Sequence, residues 1–171
     1  WFQIHTATPN LATAGDRQPG ARGIFAGGSP TTGGDTIEYV NISSTGDAID
    51  FGNLLATKKY VAGCSSSTRG ISAGGEPGTV DVIEFVTIAS TGNAVDFGNL
   101  NNGTTYISGC SSETRGIFGG GKQPGFTNQI QYITIASTGN AQDFGDLTQA
   151  RSNIGAVSSP VRGVFQGGYT P

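Results

Sequence analysis

Four arginines raise the first chemical question. Arg22, Arg69, Arg115 and Arg162 stand 47, 46 and 47 residues apart (69 − 22, 115 − 69, 162 − 115), each opening a short run that ends in glycine. Asp50, Asp96 and Asp143 recur with a similar period, each in the triplet Asp-Phe-Gly. Four guanidiniums gathered about an axis would hold an anion. The plainer expectation is that each Arg binds an Asp or a backbone carbonyl within or between repeats, because every copy needs the same joint. A residue present in every copy reads as architecture, not as a single active site.

Other chemistry is sparse. His5 is the one histidine. Without a second histidine or clustered carboxylates it makes no transition-metal set, and it reads as a surface residue. A Ser-His-Asp triad would have to run through it with no nucleophile-elbow motif. The glycines form no phosphate loop, since no Gly-Lys-Ser/Thr follows them. Asp35 and Asp81 lack the spacing of a calcium loop. Cys64 and Cys110 hold one place in successive repeats (110 − 64 = 46), a relation usually too distant for a disulfide, so both are expected as free buried thiols. The chain reads as a non-enzyme with no catalytic residue, metal or cofactor.

Binding candidates lie where the repeats differ. These are the loops Ser29–Asp35, Glu76–Asp81 and Lys122–Asn128, and the connections Leu55–Lys59, Asn101–Thr104 and Thr148–Arg151. Tyr60, Tyr106, Phe126 and Asn128 in or beside them would stack on and hydrogen-bond a sugar. The fourth-strand phenylalanines, with Tyr39, Phe85 and Tyr132, are expected as core between units.

The elements that position these residues follow from the period. Arg115–Gly121, Arg-Gly-Ile-Phe-Gly-Gly-Gly, reads as a buried strand running into a turn that needs φ > 0 or close backbone approach. Around it the third unit has a small-residue strand at Thr105–Ser112, an alternating strand at Gln129–Ala136 and a fourth at Ala141–Leu147. In the alternating strand Ile130, Tyr132 and Thr134 point one way, and Gln131, Ile133 and Ile135 the other. Ser137-Thr138-Gly139-Asn140 makes the tight turn between the last two strands. The equivalent third segments are Thr36–Ser43 and Val82–Ala89.

Composition agrees with β-structure. The 171 residues include 29 glycines and no methionine, with 12% charged residues. A regular apolar period argues against disorder. The net charge of −3 offers no basic footprint for nucleic acid. No apolar run approaches the roughly 18 residues of a membrane span. A start at Trp1 without methionine reads as a processed product or a piece of something longer.

Four strands in about 45–50 residues, with paired glycines after the second, is the pattern of a propeller blade. The unit resembles a kelch repeat, as in Val164-Phe165-Gln166-Gly167-Gly168 with Tyr39, Phe85 or Tyr132 following on the third strand. Phe51, Phe97 and Phe144 stand where kelch repeats carry tryptophan, which marks a divergent kelch-like family. The wording Tyr-Ile-Thr-Ile-Ala-Ser-Thr-Gly-Asn-Ala-Gln-Asp-Phe-Gly-Asp-Leu also resembles repeats of structural and tail-fibre proteins of marine and cyanobacterial phages. These resemblances imply an all-β, kelch-like propeller of four-stranded antiparallel blades. They further imply a non-enzymatic module of a phage virion, tail-fibre or capsid-associated, serving assembly or host attachment. The alternative is a lectin-type propeller, secreted or cell-surface, binding a glycan through its variable loops.

The expected organisation is one repeat domain over residues 1–171, with units at about 1–9 (partial), 10–54, 55–100, 101–147 and 148–171 (partial). Gln3-Ile4-His5 aligns with a fourth strand and Leu11–Arg17 with a first. That makes about three and a half blades, fewer than the usual four to eight. Self-association as a homodimer or higher, or the remainder of a longer chain, is expected to complete the ring. Other virion proteins and a host surface glycan are the further partners the resemblance implies.

Overall fold

The computed structural model describes residues 22–28 and 34–171. Within them every regular element is a strand, and every pairing is antiparallel. In chain order these are β1 (Arg22–Ala26), β2 (Thr36–Asn41), β3 (Ile49–Asn53), β4 (Ala62–Ser65), β5 (Arg69–Ala73), β6 (Val82–Thr87) and β7 (Val95–Asn99). They continue with β8 (Ser108–Ser111), β9 (Arg115–Gly119), β10 (Lys122–Gln123), β11 (Gly125–Phe126), β12 (Gln129–Thr134), β13 (Gln142–Asp146), β14 (Gly155–Ser159) and β15 (Arg162–Gln166). β-Branched and aromatic residues concentrate in the third strands, β2, β6 and β12, whereas β4 and β8 are built of small residues; Gly-Gly follows the second strands and Ser-Thr-Gly-Asn/Asp the third.

Two sheets are complete meanders, β4-β5-β6-β7 and β8-β9-β12-β13. A third is β1-β2-β3, and a fourth is the hairpin β14-β15. The first-type strand expected at Leu11–Arg17, like Trp1–His5 and most of the Ser29–Asp35 loop, lies outside the described residues. The loop Lys122–Asn128 carries a small hairpin of its own, β10-β11, which the sequence pattern did not announce.

Each third strand slips register against the fourth at one place: Ile37/Glu38, Ile83/Glu84 and Ile130/Gln131. A bulge locally disrupts the ladder and bends the strand, so that strict alternation of faces can fail, as it does at the second slip. Ile83 and Glu84 are therefore both fully buried, and Gln131, Ile133 and Ile135 line one deep face. Ile130 and Tyr132, on the other face, are half-buried. Core lies between successive sheets, with Ile71, Ile83, Phe97, Phe118 and Ile133 in one cluster and Ile37, Phe51 and Val86 in another.

The sheets are joined by a repeated set of contacts. Gly92 N donates to Phe51 O at 2.7 Å, and Gly139 N donates to Phe97 O at 2.7 Å. Ala94 N and Ala141 N donate to Asn53 O and Asn99 O, each at 2.8 Å. The Asn93 and Asn140 side chains accept from Asn53 N and Asn99 N, each at 3.0 Å. Three of the four repeated arginines lie over the ring of their own sheet's third strand: Arg22 over Tyr39, Arg69 over Phe85 and Arg115 over Tyr132, all at 4.5 Å. Arg22 and Arg69 then donate to the carbonyls of Ile88 and Ile135 in the next sheet, at 2.7 and 2.8 Å. The carbonyl, not an aspartate, is thus their partner. Asp50, Asp96 and Asp143 are exposed on the outer strands.

The inner strands meet through serines. Ser111 Oγ donates to Ser65 O at 2.6 Å, and Ser158 Oγ donates to Ser111 O at 2.8 Å. The glycine after each arginine leaves room for the neighbour: a Cβ on Gly116 would lie 2.7 Å from Cys64 Sγ, and one on Gly163 would lie 2.8 Å from Cys110 Sγ. Both cysteines are free thiols, as expected.

Gly98 and Gly145 separate the joint from local strain. Both hold positive φ (145° and 137°), but a Cβ on Gly98 would stand 2.4 Å from Gly139 O, whereas Gly145 has nothing within 4 Å. Gly98→Ala is expected to cost about 2 kcal/mol more than Gly145→Ala, on the scale of overpacking in a closed interior. Urea unfolding of the two variants measures the difference. Equal losses would mean that the joint carries none of the stability assigned to it.

Candidate functional site

The paired glycines bring the variable loops against the connections. Gly75 and Gly121 hold φ of 110° and 104°. A Cβ on either would lie 2.7 Å from the carbonyl of Lys59 or Thr105. That close approach lets Lys59 pair with Glu76, and Thr105 with Lys122, as isolated antiparallel bridges. The loops and connections thereby form one surface at one end of the sheets.

On this surface the tyrosines lie together. The rings of Tyr60 and Tyr106 are 4.5 Å apart and tilted by 38°. Lys59 Nζ lies 5.1 Å from the Tyr60 ring. Lys122 Nζ lies 5.7 Å from the Tyr106 ring and 4.8 Å from that of Phe126. The result is a row of cations and rings, Lys59, Tyr60, Tyr106, Lys122 and Phe126, with the two tyrosines in contact. In each such contact the ammonium is drawn to the negative face of the ring. Glu76 binds Lys59 at 3.1 Å, and that hydrogen bond raises the Lys59 pKa. Desolvation, then the Glu76 carboxylate, pushes the Tyr106 hydroxyl up as well. Among the described residues no carboxylate pairs with Lys122.

Tyr60 and Tyr106 both sit at positive φ, 58° and 56°, and Asn153 holds the same repeat position at 54°. Asparagine tolerates that conformation, but a bulky residue is an outlier there, at a cost of order 1 kcal/mol or more. The backbone at this place recurs in three units, and in two of them it presents a tyrosine.

Of the four residues singled out in the sequence, the structure brings Tyr60, Tyr106 and Phe126 into this row. Asn128 is exposed, and its backbone carbonyl accepts from Leu147 N at 2.7 Å. Among the described residues no hydrogen bond joins its side chain to the rings. Lys59, Lys122 and Glu76 were not singled out. Lys59 stands beside Tyr60 in the sequence and could have been found there, whereas Glu76 and Lys122 reach the row only through the bridges to Lys59 and Thr105. His5 lies outside the described residues. Among those described, no three His, Cys, Asp or Glu side chains come together as a metal-binding group.

Two further features complete the inventory. A groove of about 1150 Å³ runs between β1 and β4, along the side of β1 that has no strand beside it among the described residues. The buried pair Lys58–Glu84, at 2.5 Å, links the first and second sheets, and Glu84 also accepts from Leu55 N at 2.7 Å. The second donor satisfies a carboxylate that would otherwise be costly to bury.

Site and scaffold together define an all-β protein of repeated antiparallel sheets with an aromatic and cationic loop surface at one end. No protein-family model matches the chain, and no curated protein matches it. No helix among the described residues is long and apolar enough to cross a membrane.

Burial pushes both thiol pKa values up, and for Cys64 the neighbouring Cys110 adds to the effect. The folded chain therefore holds these protons at a pH where the unfolded chain releases them. Their contribution to stability is whole below the ordinary thiol pKa of about 8.5 and is lost as pH rises above it. Stability in urea should hold level to about pH 8 and then fall, and Cys64→Ala should flatten the fall. Rapid alkylation of both thiols in the native chain at pH 8 would show that they are not held neutral.

Proposed function

We propose that this chain is a non-enzymatic, kelch-like β-propeller module that binds a glycan through the Tyr60–Tyr106 surface. The proposed setting is a phage virion, in a tail fibre or a capsid-associated protein, where such a module serves host attachment. The propeller reading is supported by four successive antiparallel sheets, by inner strands linked through Ser65, Ser111 and Ser158, and by joints that repeat at the sequence period. The phage setting is supported by the wording of the repeat.

One observation carries the ligand reading. Two bulky tyrosines are held at positive φ at a position that the fold supplies in several units. Strained residues are retained where surrounding structure over-determines them, and they cluster at binding sites. Tyrosine ring edges and hydroxyls suit a sugar, with one apolar face and one wet end. Lys122, with no carboxylate partner among the described residues, adds a preference for a glycan bearing an acidic group.

A glycan array followed by titration calorimetry tests the reading. Acidic glycans should bind, and Tyr106→Ala should weaken them about tenfold, which corresponds to roughly 1.4 kcal/mol. Val161→Ala, at the exposed turn between β14 and β15, should leave binding unchanged. Absence of binding to every glycan would overturn the ligand reading and leave a pure assembly element.

A further inference from the structure

The joint between sheets is made twice in full and once in part. Between the first and second sheets, and between the second and third, the outer phenylalanine is covered: Phe51 and Phe97 are each 2% exposed. Phe144, in the same place on the third sheet, is 48% exposed. A Cβ on Gly52 or Gly98 would meet a carbonyl at 2.4 Å, but one on Gly145 meets nothing. Arg22 and Arg69 reach a carbonyl of the next sheet, whereas Arg115 lies over its own Tyr132 ring and is exposed. The fourth sheet has only β14 and β15 among the described residues, equivalent to β4-β5 and β8-β9, so β15 is paired on one side alone.

We propose that this face binds a β-hairpin of the repeat's own third-and-fourth-strand type, entering against β15. The two finished joints specify its chemistry. It carries an alternating apolar strand whose isoleucine carbonyl faces Arg115. It carries a Ser-Thr-Gly-Asn/Asp-Ala turn whose glycine N–H meets Phe144 O and whose alanine N–H meets Asp146 O. It carries an acid at the place of Glu84. Arg151 occupies the repeat position of Lys58, the partner of Glu84, and Arg151 Nε is buried with no hydrogen-bond partner. A glutamate on the incoming strand would take that donor. The middle joint has Thr104 and Gln131 at these two positions, a neutral pair of sites. The acid is therefore matched to the cation, joint by joint. This inference does not depend on the glycan reading.

The test adds the peptide Val82–Leu100, Val-Ile-Glu-Phe-Val-Thr-Ile-Ala-Ser-Thr-Gly-Asn-Ala-Val-Asp-Phe-Gly-Asn-Leu, in trans to the full chain. It should bind with one-to-one stoichiometry in calorimetry and quench solvent exchange at β15 and at Phe144–Asp146. A peptide with Glu84→Gln should bind about tenfold more weakly, the loss of one charge-assisted pair. Arg115→Ala in the chain should weaken both peptides alike. Binding equal to that of a scrambled peptide would overturn the proposal. So would a stable dimer in light scattering that the peptide fails to displace, because a second copy would then own the face.

Discussion

The structure depends on a place where a side chain must be missing. The outer strand of the first and of the second sheet offers the carbonyl of its phenylalanine to the turn of the next, and the glycine that follows lets the two backbones approach. With a Cβ only 2.4 Å from a carbonyl at Gly52 or Gly98, no other residue fits. That contact brings Asn93 or Asn140 within reach of the outer strand's N–H and closes the Phe51 and Phe97 rings off from water. Burying one such ring contributes roughly 1.5–3 kcal/mol. The same approach explains why a chain so poor in large apolar residues still packs. Its interfaces are built from backbone groups and small residues, with aromatic rings used sparingly.

The arginines belong to the same logic. A guanidinium has several fixed donors and stacks well on a ring, so one residue can both cover Tyr39 or Phe85 and reach a carbonyl across the joint. An aspartate partner would have added a charge to a crowded seam. A carbonyl is already there, on the strand that must be satisfied in any case. Gly116 and Gly163, after two of the arginines, each admit a thiol of the preceding sheet, Cys64 or Cys110, which links the two repeated features of the motif to a third.

Much of this scaffold was legible. The four-strand order and the Gly-Gly turns follow from the period, while alternation divided the third strand into two faces without saying which one is buried. Phe51 and Phe97 sit in the core between sheets, as their repetition suggested, and Phe144 departs only because its cover is absent among the described residues. Less legible was the bulge at Ile83/Glu84, since no local signal distinguishes a buried acid from an exposed one in an alternating strand. The aromatic site was half legible. Tyr60, Tyr106 and Phe126 could be named from their place beside variable loops, but their meeting depends on bridges between segments about 17 residues apart (76 − 59, 122 − 105). Asn128 was named by the same rule, and its backbone, not its side chain, proved to be engaged.

The joints also differ in a way that pure repetition would not require. Lys58 faces Glu84 in the first, while Thr104 and Gln131 occupy the same places in the second. Exchanging partners would bury Glu84 without a cation, or Lys58 without an anion, and either error costs several kcal/mol. Near-identical sheets could otherwise pair out of order, because their backbone contacts are interchangeable. A single varied pair in each seam is enough to distinguish correct neighbours from wrong ones. The repeat thus supplies the geometry of association, and the few positions that break the repeat supply its order.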